Sequence, residues 1–250
     1  MADSAFADET LAALYDPGHP SELRADFAFY RPLIMAAPAV LDVGCGTGSL
    51  LHSARDAGHT GRLCGLDPAP GMLKVARARV PHGSVEWTLG DLSSVSYDRE
   101  FDLVVMAGHA FQVFVTDTEL RTALAKIAAA LADGGRFAFE TRNPSARAWE
   151  GWTVRDPVKV TGPDGEEVAV TREVEEPAPG ARTVSFTTRY DAPSWPRPRS
   201  SRSTLRFLDS EALAGFLDGA GLKVVEQYGD WDRSPLTPAS PEIVTVAGRA

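Results

Sequence analysis

The chain has 250 residues, 44% of them hydrophobic and 24% charged, with a formal net charge of −9. That size and balance suit a soluble globular protein, either one α/β domain with an elaboration or two small domains. The acidic excess argues against nucleic acid or an anionic membrane as partner, and no apolar run approaches the ~20 residues that a membrane span needs.

In chain order, the first stretch is acidic and carries no signal-peptide pattern. Residues 7–35 read as two helices separated by Asp16-Pro17-Gly18-His19-Pro20. Tyr15-Asp16 closes the first helix. Ser21 can cap the second, whose apolar face is Phe27, Tyr30, Leu33 and Ile34. A short apolar run then begins (Ala39, Val40, Leu41, Val43) and reads as a buried strand. It breaks into Gly44, Gly46 and Gly48 and resumes with helical spacing at Leu50, Leu51, Ala54 and Ala57. A strand, a glycine turn and a helix start form a ligand-binding edge in an open parallel sheet. Glycines let a ligand approach the backbone and supply positive φ, and the helix start offers unpaired N–H groups. The spacing is not that of the dinucleotide fingerprint G-x-G-x-x-G, because Ser49 stands at the third glycine position. Asp42 lies two residues before Gly44, where a carboxylate can meet a cationic amino group but would repel a pyrophosphate. Cys45 and Cys64 both fall beside strand-like runs and read as reduced cytoplasmic thiols.

A second strand over 62–66 ends in Asp67. That carboxylate can accept hydrogen bonds from both hydroxyls of a ribose, or cap the helix that Pro68 to Met72 opens. The Met72 thioether suits the edge of an adenine ring. The third strand, 85–89, leads into Gly90-Asp91-Leu92. The fourth, 101–107, is the clearest in the chain and runs into Gly108-His109-Ala110-Phe111. Small Ala107 and Gly108 leave room for a cofactor against the backbone, with His109 and Phe111 facing the pocket. A helix over 117–131 presents Leu120, Leu124, Ile127, Ala128 and Leu131 and stops at Asp133-Gly134-Gly135, a helix-ending pattern. The fifth strand, 136–140, ends in Thr141-Arg142-Asn143-Pro144. Strands alternating with helices predict parallel pairing with right-handed crossovers.

From 146 to 207 helical spacing gives way to short alternating runs at 154–160, 168–175, 183–190 and 201–207, with turn-rich segments between them. They predict an inserted antiparallel sheet. Arg197, Arg199, Arg202 and Arg206 cluster at its end, but acids elsewhere in the insert offset them and favour solvated strand faces over an anion site. A helix over 210–220 and strands over 223–228 and 243–247 complete the chain.

Asp42 with Gly44, Gly46 and Gly48, then Asp67, Gly90-Asp91, Phe101-Asp102 through His109, and Asp133-Gly134-Gly135 follow one another over residues 38–140. In this order they resemble the class I S-adenosylmethionine (SAM)-dependent methyltransferases of small-molecule type. The resemblance implies an α/β fold, a Rossmann-like seven-stranded and mostly parallel sheet with helices on both faces, plus an antiparallel β lid after the fifth strand. It divides the chain into a SAM-binding core (1–141 and 209–250, with 1–36 as a helical cap) and a lid over the acceptor (142–208). It implies S-adenosyl-L-methionine as cofactor and S-adenosylhomocysteine (SAH) as product. The cofactor-binding residues are then Tyr15, Asp42, Gly44, Cys45, Gly46, Gly48, Asp67, Pro68, Met72, Gly90, Asp91, Leu92, Ala107, Gly108, His109 and Phe111. Asp91 would take the adenine amino group, and the Leu92 N–H a ring nitrogen. Tyr15 would cover the pocket, although a core-packing role accounts for it equally.

A sulfonium methyl is already activated, so such an enzyme chiefly places a nucleophile in line with it. A hydroxyl acceptor needs a general base; a neutral amine needs one much less. His109 is the candidate base, with packing on the cofactor as its alternative role. Tyr15, Glu140, Arg142, Asn143, Tyr190, Trp195 and Trp231 are candidates to orient an acceptor, each with an ordinary packing or capping alternative. The Asn/Asp-Pro-Pro-Tyr/Phe run of base-amino methyltransferases is absent after strand four, and neither cysteine is placed to attack a pyrimidine. The expected acceptor is therefore an N or O atom of a small molecule, not nucleic acid. No metal is called for, and the expected form is a cytoplasmic monomer or homodimer. Two rival readings stand beside this one. An NAD(P)-dependent oxidoreductase is disfavoured by Asp42 and Ser49. A SAM-binding protein without turnover shares every cofactor motif.

Overall fold

The computed structural model describes residues 3–20, 24–79, 85–178 and 180–249. Seven strands form one sheet: β1 (Ala39–Val43), β2 (Arg62–Asp67), β3 (Glu86–Leu89), β4 (Phe101–Met106), β5 (Leu131–Arg142), β10 (Leu222–Tyr228) and β11 (Glu242–Arg249). Their order across the sheet is β10-β11-β5-β4-β1-β2-β3. The first five pair in parallel, and β11 is antiparallel to both β5 and β10. The winding reverses between β1 and β4, so the crevice beyond their carboxyl ends is the switch point where open α/β sheets bind ligands. Both the glycine loop and Gly108-His109 lie there.

Among the described residues, eight α-helices have these bounds: α1 (Ser4–Ala7), α2 (Glu9–Ala12), α3 (Tyr15–Gly18), α4 (Asp26–Ala36), α5 (Ser49–Asp56), α6 (Pro70–Ala78), α7 (Asp117–Ala130) and α8 (Ser210–Asp218). Helices α7 and α8 cover one face of the sheet, closing over Leu41, Val104, Phe137 and Phe139. Helices α4 and α5 cover the other, over Val40, Leu63, Val105 and Ala138. Because both faces are buried, the central strands read as continuous apolar runs. Phe101, Phe137 and Phe139 are fully buried, and each contributes about 1.5–3 kcal/mol by leaving water. No helix among the described residues is long and apolar enough to cross a membrane.

Between β5 and α8 stands a second sheet, in the order β6 (Val154–Thr161), β7 (Glu167–Val174), β8 (Thr183–Asp191), β9 (Arg199–Arg206), antiparallel throughout. The chain thus has the expected fold class, a seven-stranded mostly parallel sheet with an inserted antiparallel one.

Two expectations are corrected. The N-terminal part holds three short helices before α4, not one. Asp8 ends α1 and its side chain accepts from the N–H groups of Thr10 and Leu11, which starts α2. Asp16-Pro17 is not a break but the body of α3, because proline is tolerated in a first helical turn. The expected cap Ser21 lies outside the described residues. Asp133-Gly134-Gly135 does not end α7, which stops at Ala130. These residues form a bulge in β5, where the register passes from Phe101↔Leu131 to Leu103↔Arg136, and Gly134 takes φ +80°.

Candidate active site

The glycine loop after β1 is left-handed at three alternate positions, with φ +75° at Gly44, +55° at Gly46 and +69° at Gly48. Side chains there would be strained, and a Cβ on Gly48 would lie 2.3 Å from the Trp87 ring. At Gly46 a Cβ would meet nothing within 4 Å, so the loop is open on that side. Asp67, at the end of β2, reaches back to the loop. Its Oδ2 accepts the Gly46 N–H at 2.8 Å, and its Oδ1 accepts the Ala69 N–H at 2.8 Å. Each oxygen keeps a second lone pair for a ligand. Burial pushes the Asp67 carboxyl up and the two N–H donors pull it back.

Asp42 is buried on β1, and its Oδ1 has no hydrogen-bond partner among the described residues. Burial first, and the Asp67 charge second, push its carboxyl up to about 8. An orphaned buried carboxylate oxygen calls for a cation or a donor. The open cradle at Gly46, the spare lone pairs of Asp67 and the orphaned Asp42 oxygen together fit a nucleoside bearing an ammonium group, as SAM does.

The N-terminal helices close over this loop. Asp16 Oδ1 accepts from Thr47 Oγ1 at 2.7 Å and from Ser49 Oγ at 3.1 Å, and the same carboxylate pairs with Arg79. The Tyr15 ring stacks on His19 at 4.6 Å, and its hydroxyl lies 3.9 Å from where a Gly108 Cβ would stand. Met72 is buried with Ala12 and Ala69 and packs against Phe6 and Tyr15.

Beyond β4, Gly108 and His109 are both left-handed, with φ +67° and +63°. For histidine that conformation costs energy, and Glu140 holds it by accepting the His109 N–H at 2.7 Å. Tyr30 donates to the other oxygen of Glu140. His109 Nε2 lies 3.0 and 3.1 Å from the two carboxylate oxygens of Glu242, and its ring meets Trp231 edge-on at 5.9 Å. A carboxylate can only accept, so Nε2 is the N–H that faces Glu242. No hydrogen bond to Nδ1 occurs among the described residues. The Trp231 indole N–H is buried without a hydrogen-bond partner among the described residues.

The other predicted residues divide. Ala107 packs half-buried beside this face, and Pro68 is exposed. Asp91 is exposed and accepts from the N–H groups of Ser93 and Ser94, which hold its carboxyl below the usual range together with the Ser93 hydroxyl. Gly90 donates its N–H to Asp67 O, and the Leu92 side chain is buried in the core. The Cys45 side chain packs on Leu73, Ala76 and Trp87, so it offers a ligand only its main chain. Phe111 does not face the pocket. The turn after His109 swings it inward to stack on Phe139 at 4.2 Å. Glu140 is fully buried and occupied by Tyr30 and His109, so it positions other groups and does not reach an acceptor. Asn143 Nδ2 donates to Ser240 O at 2.8 Å and to Thr237 O at 3.3 Å, tying the end of β5 to the loop before β11. Both cysteines are free thiols. The lid-end arginines are paired: Arg199 with Asp8, Arg202 with Glu175 and Arg206 with Asp117.

Glu242 and Asp16 went unselected in sequence reading. Asp16 had a visible signal, its place beside Tyr15 at a helix end. Glu242 had none, because only the antiparallel register Glu242↔Arg142 brings it to the end of β4.

The strand order and the glycine loop with Asp42 and Asp67 define a class I methyltransferase fold, with that loop at the switch point. Residues 40–135 match the methyltransferase domain family, and the chain belongs to the SAM-dependent methyltransferases. It is 31% identical to the aklanonic acid methyltransferase of Streptomyces sp. (strain C5), over 56% of this chain and 67% of that protein. It is 27% identical to the cypemycin N-terminal methyltransferase of Streptomyces sp. over 100% of both chains. Its match to the malonyl-[acyl-carrier protein] O-methyltransferase of Acetivibrio thermocellus, 34% identical, spans 41% of this chain and only 35% of that protein's length. Among solved structures, the CcbJ methyltransferase of Streptomyces caelestis shares the fold, with TM-score 0.77 and 22% identity over 100% of both chains. A SAM-bound amino pentose methyltransferase from Micromonospora echinaspora has TM-score 0.66 and 25% identity over 95% of each chain.

Proposed function

We propose that the protein transfers the methyl group of SAM to an N or O atom of a small-molecule acceptor, and that the reaction takes place between the end of β4 and the inserted sheet. The observation that carries this reading is the buried, unpartnered Asp42 oxygen beside the open Gly46 loop. When bound, SAM supplies an electrophilic methyl that needs no further activation. Asp42 would hold its ammonium, Asp67 its ribose hydroxyls, and Gly90-Asp91-Leu92 its adenine. Cys45, Gly44 and Gly48 would contribute main chain, and Met72, Tyr15 and Gly108 the walls. In this reading residues 1–141 and 209–250 form the core, with 1–36 as cap, and 142–208 the lid.

His109 is the base. Glu242 fixes its Nε2–H and leaves Nδ1 to take the proton of an acceptor hydroxyl or ammonium. Glu140 fixes the strained backbone beneath it. Tyr190, Trp231 and Tyr15 line the acceptor side. The end-to-end relative is the cypemycin N-terminal methyltransferase and the SAM-bound neighbour an amino pentose methyltransferase, which supports a compact amine or hydroxyl acceptor here. The reading takes the protein to be cytoplasmic, a monomer or a homodimer, and without nucleic-acid or membrane partners.

The test begins with calorimetric titration of SAH, with NADH in parallel, followed by a methyl-transfer assay over amine and hydroxyl acceptors. SAH binds and NADH does not if the site is as described. His109→Ala lowers kcat ~100-fold or more, Glu242→Gln lowers it less, and both leave SAH affinity in place. Binding of SAH with no transfer to any acceptor would reassign the protein as a SAM-binding scaffold.

A further inference from the structure

Arg142, the last residue of β5, and Arg172, in the middle of β7, are both more than half buried, yet neither has an ion-pair partner among the described residues. The contrast with their neighbours is sharp. Arg199, Arg202 and Arg206 of the same inserted sheet each meet a carboxylate. Arg142 spends one donor on Gln112 Oε1 at 3.0 Å, and Arg172 one on Thr188 Oγ1 at 3.3 Å. A guanidinium has five N–H groups, so most of each fork is left over.

Both guanidinium groups stand over aromatic rings. Arg142 lies 4.8 Å over Trp152, Arg172 lies 5.1 Å over Phe186, and Trp152 meets Phe186 edge-on at 5.5 Å. The two cations therefore flank one aromatic shelf, one from the core and one from the inserted sheet. Arg172 shares its strand face with Val168 and Val170, which pack against Leu11 and Leu14 of the N-terminal helices, so it points inward. The Tyr190 ring stands on that face as well. The carboxylates that Arg142 senses, Glu242 and Glu140, are already bound to His109 and Tyr30. Burial lowers the proton affinity of Arg142, and the Arg172 charge adds to that. In a chain of net charge −9, these two guanidinium groups are left without a carboxylate ion pair among the described residues.

We propose that Arg142 and Arg172 together bind an oxyanion, a carboxylate or a phosphate, carried by the methyl acceptor. This rests on the reading that the acceptor lies under the inserted sheet. Planar forks pre-set on rings match carboxylate and phosphate oxygens. Arg142 is also the register partner of Glu242, which holds His109, so the anion is anchored beside the base. The acceptor is then an anionic amine or alcohol, anchored at one end and methylated at the other.

The experiment is calorimetric titration of the full chain, saturated with SAH, with inorganic pyrophosphate in one arm and succinate in the other. The expected result is saturable binding of at least one anion to the wild type. Arg172→Gln and Arg142→Gln each weaken it roughly tenfold or more, whereas Arg202→Gln, an exposed and paired arginine of the same sheet, leaves it unchanged. Binding of pyrophosphate alone assigns a phosphorylated acceptor, and binding of succinate alone a carboxylate acceptor. If neither anion saturates the wild type at millimolar concentration, or if both glutamine variants bind as the wild type does, the proposal is wrong. SAH titrations of each variant serve as the folding control, and Arg172→Gln decides the matter if Arg142→Gln fails to fold. Should SAH itself not bind, the same anion titrations run without it, so loss of the cofactor reading and loss of the anion site are read separately.

Discussion

At the scale of single residues, Asp42 is a buried carboxylate whose proton affinity folding raises. Its carboxyl sits at about 8 in the folded chain, against an ordinary value near 4 when unfolded. A raised carboxyl means the native state binds the proton more tightly, so stability falls as pH rises from about 4 to about 8. Asp42→Asn removes the titrating group, so its urea stability should stay level between pH 6 and pH 9 while the wild type loses a few kcal/mol. The cofactor ammonium favours the charged form. Binding of SAH at pH 7 should therefore release about one proton, read as a difference in heat between phosphate and Tris buffers. Asp42→Asn should abolish that release and weaken SAH. Equal heats in the two buffers would show that Asp42 does not meet the ammonium.

At the scale of elements, α3 is the piece whose placement matters most. It is too short to be stable alone. It is held by Asp16, through Thr47, Ser49 and Arg79, and by Tyr15 against His19 and Phe6. The Asp16–Arg79 pair is about one-third exposed, so its worth to global stability is under about 1 kcal/mol. Asp16→Ala should thus lower Tm by only a few degrees yet weaken SAH about fivefold, because the cap no longer closes on the loop. A calorimetric titration beside a thermal melt checks this, and a large fall in Tm with unchanged affinity would place the cap elsewhere. The strands were the elements most legible in the sequence. Alternation and apolar runs mark β1, β2, β4 and the four strands of the insert to within about two residues. Helices α1 to α3 were not legible, because one-turn helices have no periodicity and depend on capping by Asp8 and contacts with β9 and α6.

At the scale of the whole molecule, the cap joins the two sheets. Leu11 and Leu14 of the N-terminal segment are buried against Val168 and Ala192 of the inserted sheet, while Ala12 packs on α6 of the core. Ala5 N–H donates to Ser201 Oγ at 2.9 Å, and Asp8 pairs with Arg199, which adds polar ties along β9. Leu14→Ala should cost about 2–4 kcal/mol through the cavity it leaves. The loss should be local. In native-state hydrogen exchange the amides of β6 to β9 lose protection while those of β1 and β4 keep theirs. Uniform loss over both sheets would mean that they unfold as one unit.

The sequence by itself determined the strand–glycine–helix unit, because Gly44, Gly46 and Gly48 answer a local demand for positive φ that no neighbour can supply. It also determined the carboxylates Asp42 and Asp67, fixed at strand ends by short-range spacing. Tertiary structure alone decided which side chains meet across the sheet. Phe111 turned into the core because Phe137 and Phe139 stand beneath it. Glu140 is spent on Tyr30 and the His109 backbone, and Glu242 reaches His109, 133 residues away in sequence, through an antiparallel pairing. Arg142 and Arg172 stand over Trp152 and Phe186, whose rings meet edge-on across the junction of core and insert. Spacing along the chain fixes local backbone shape, whereas such partners are set by sheet register and packing, which no single stretch of sequence contains.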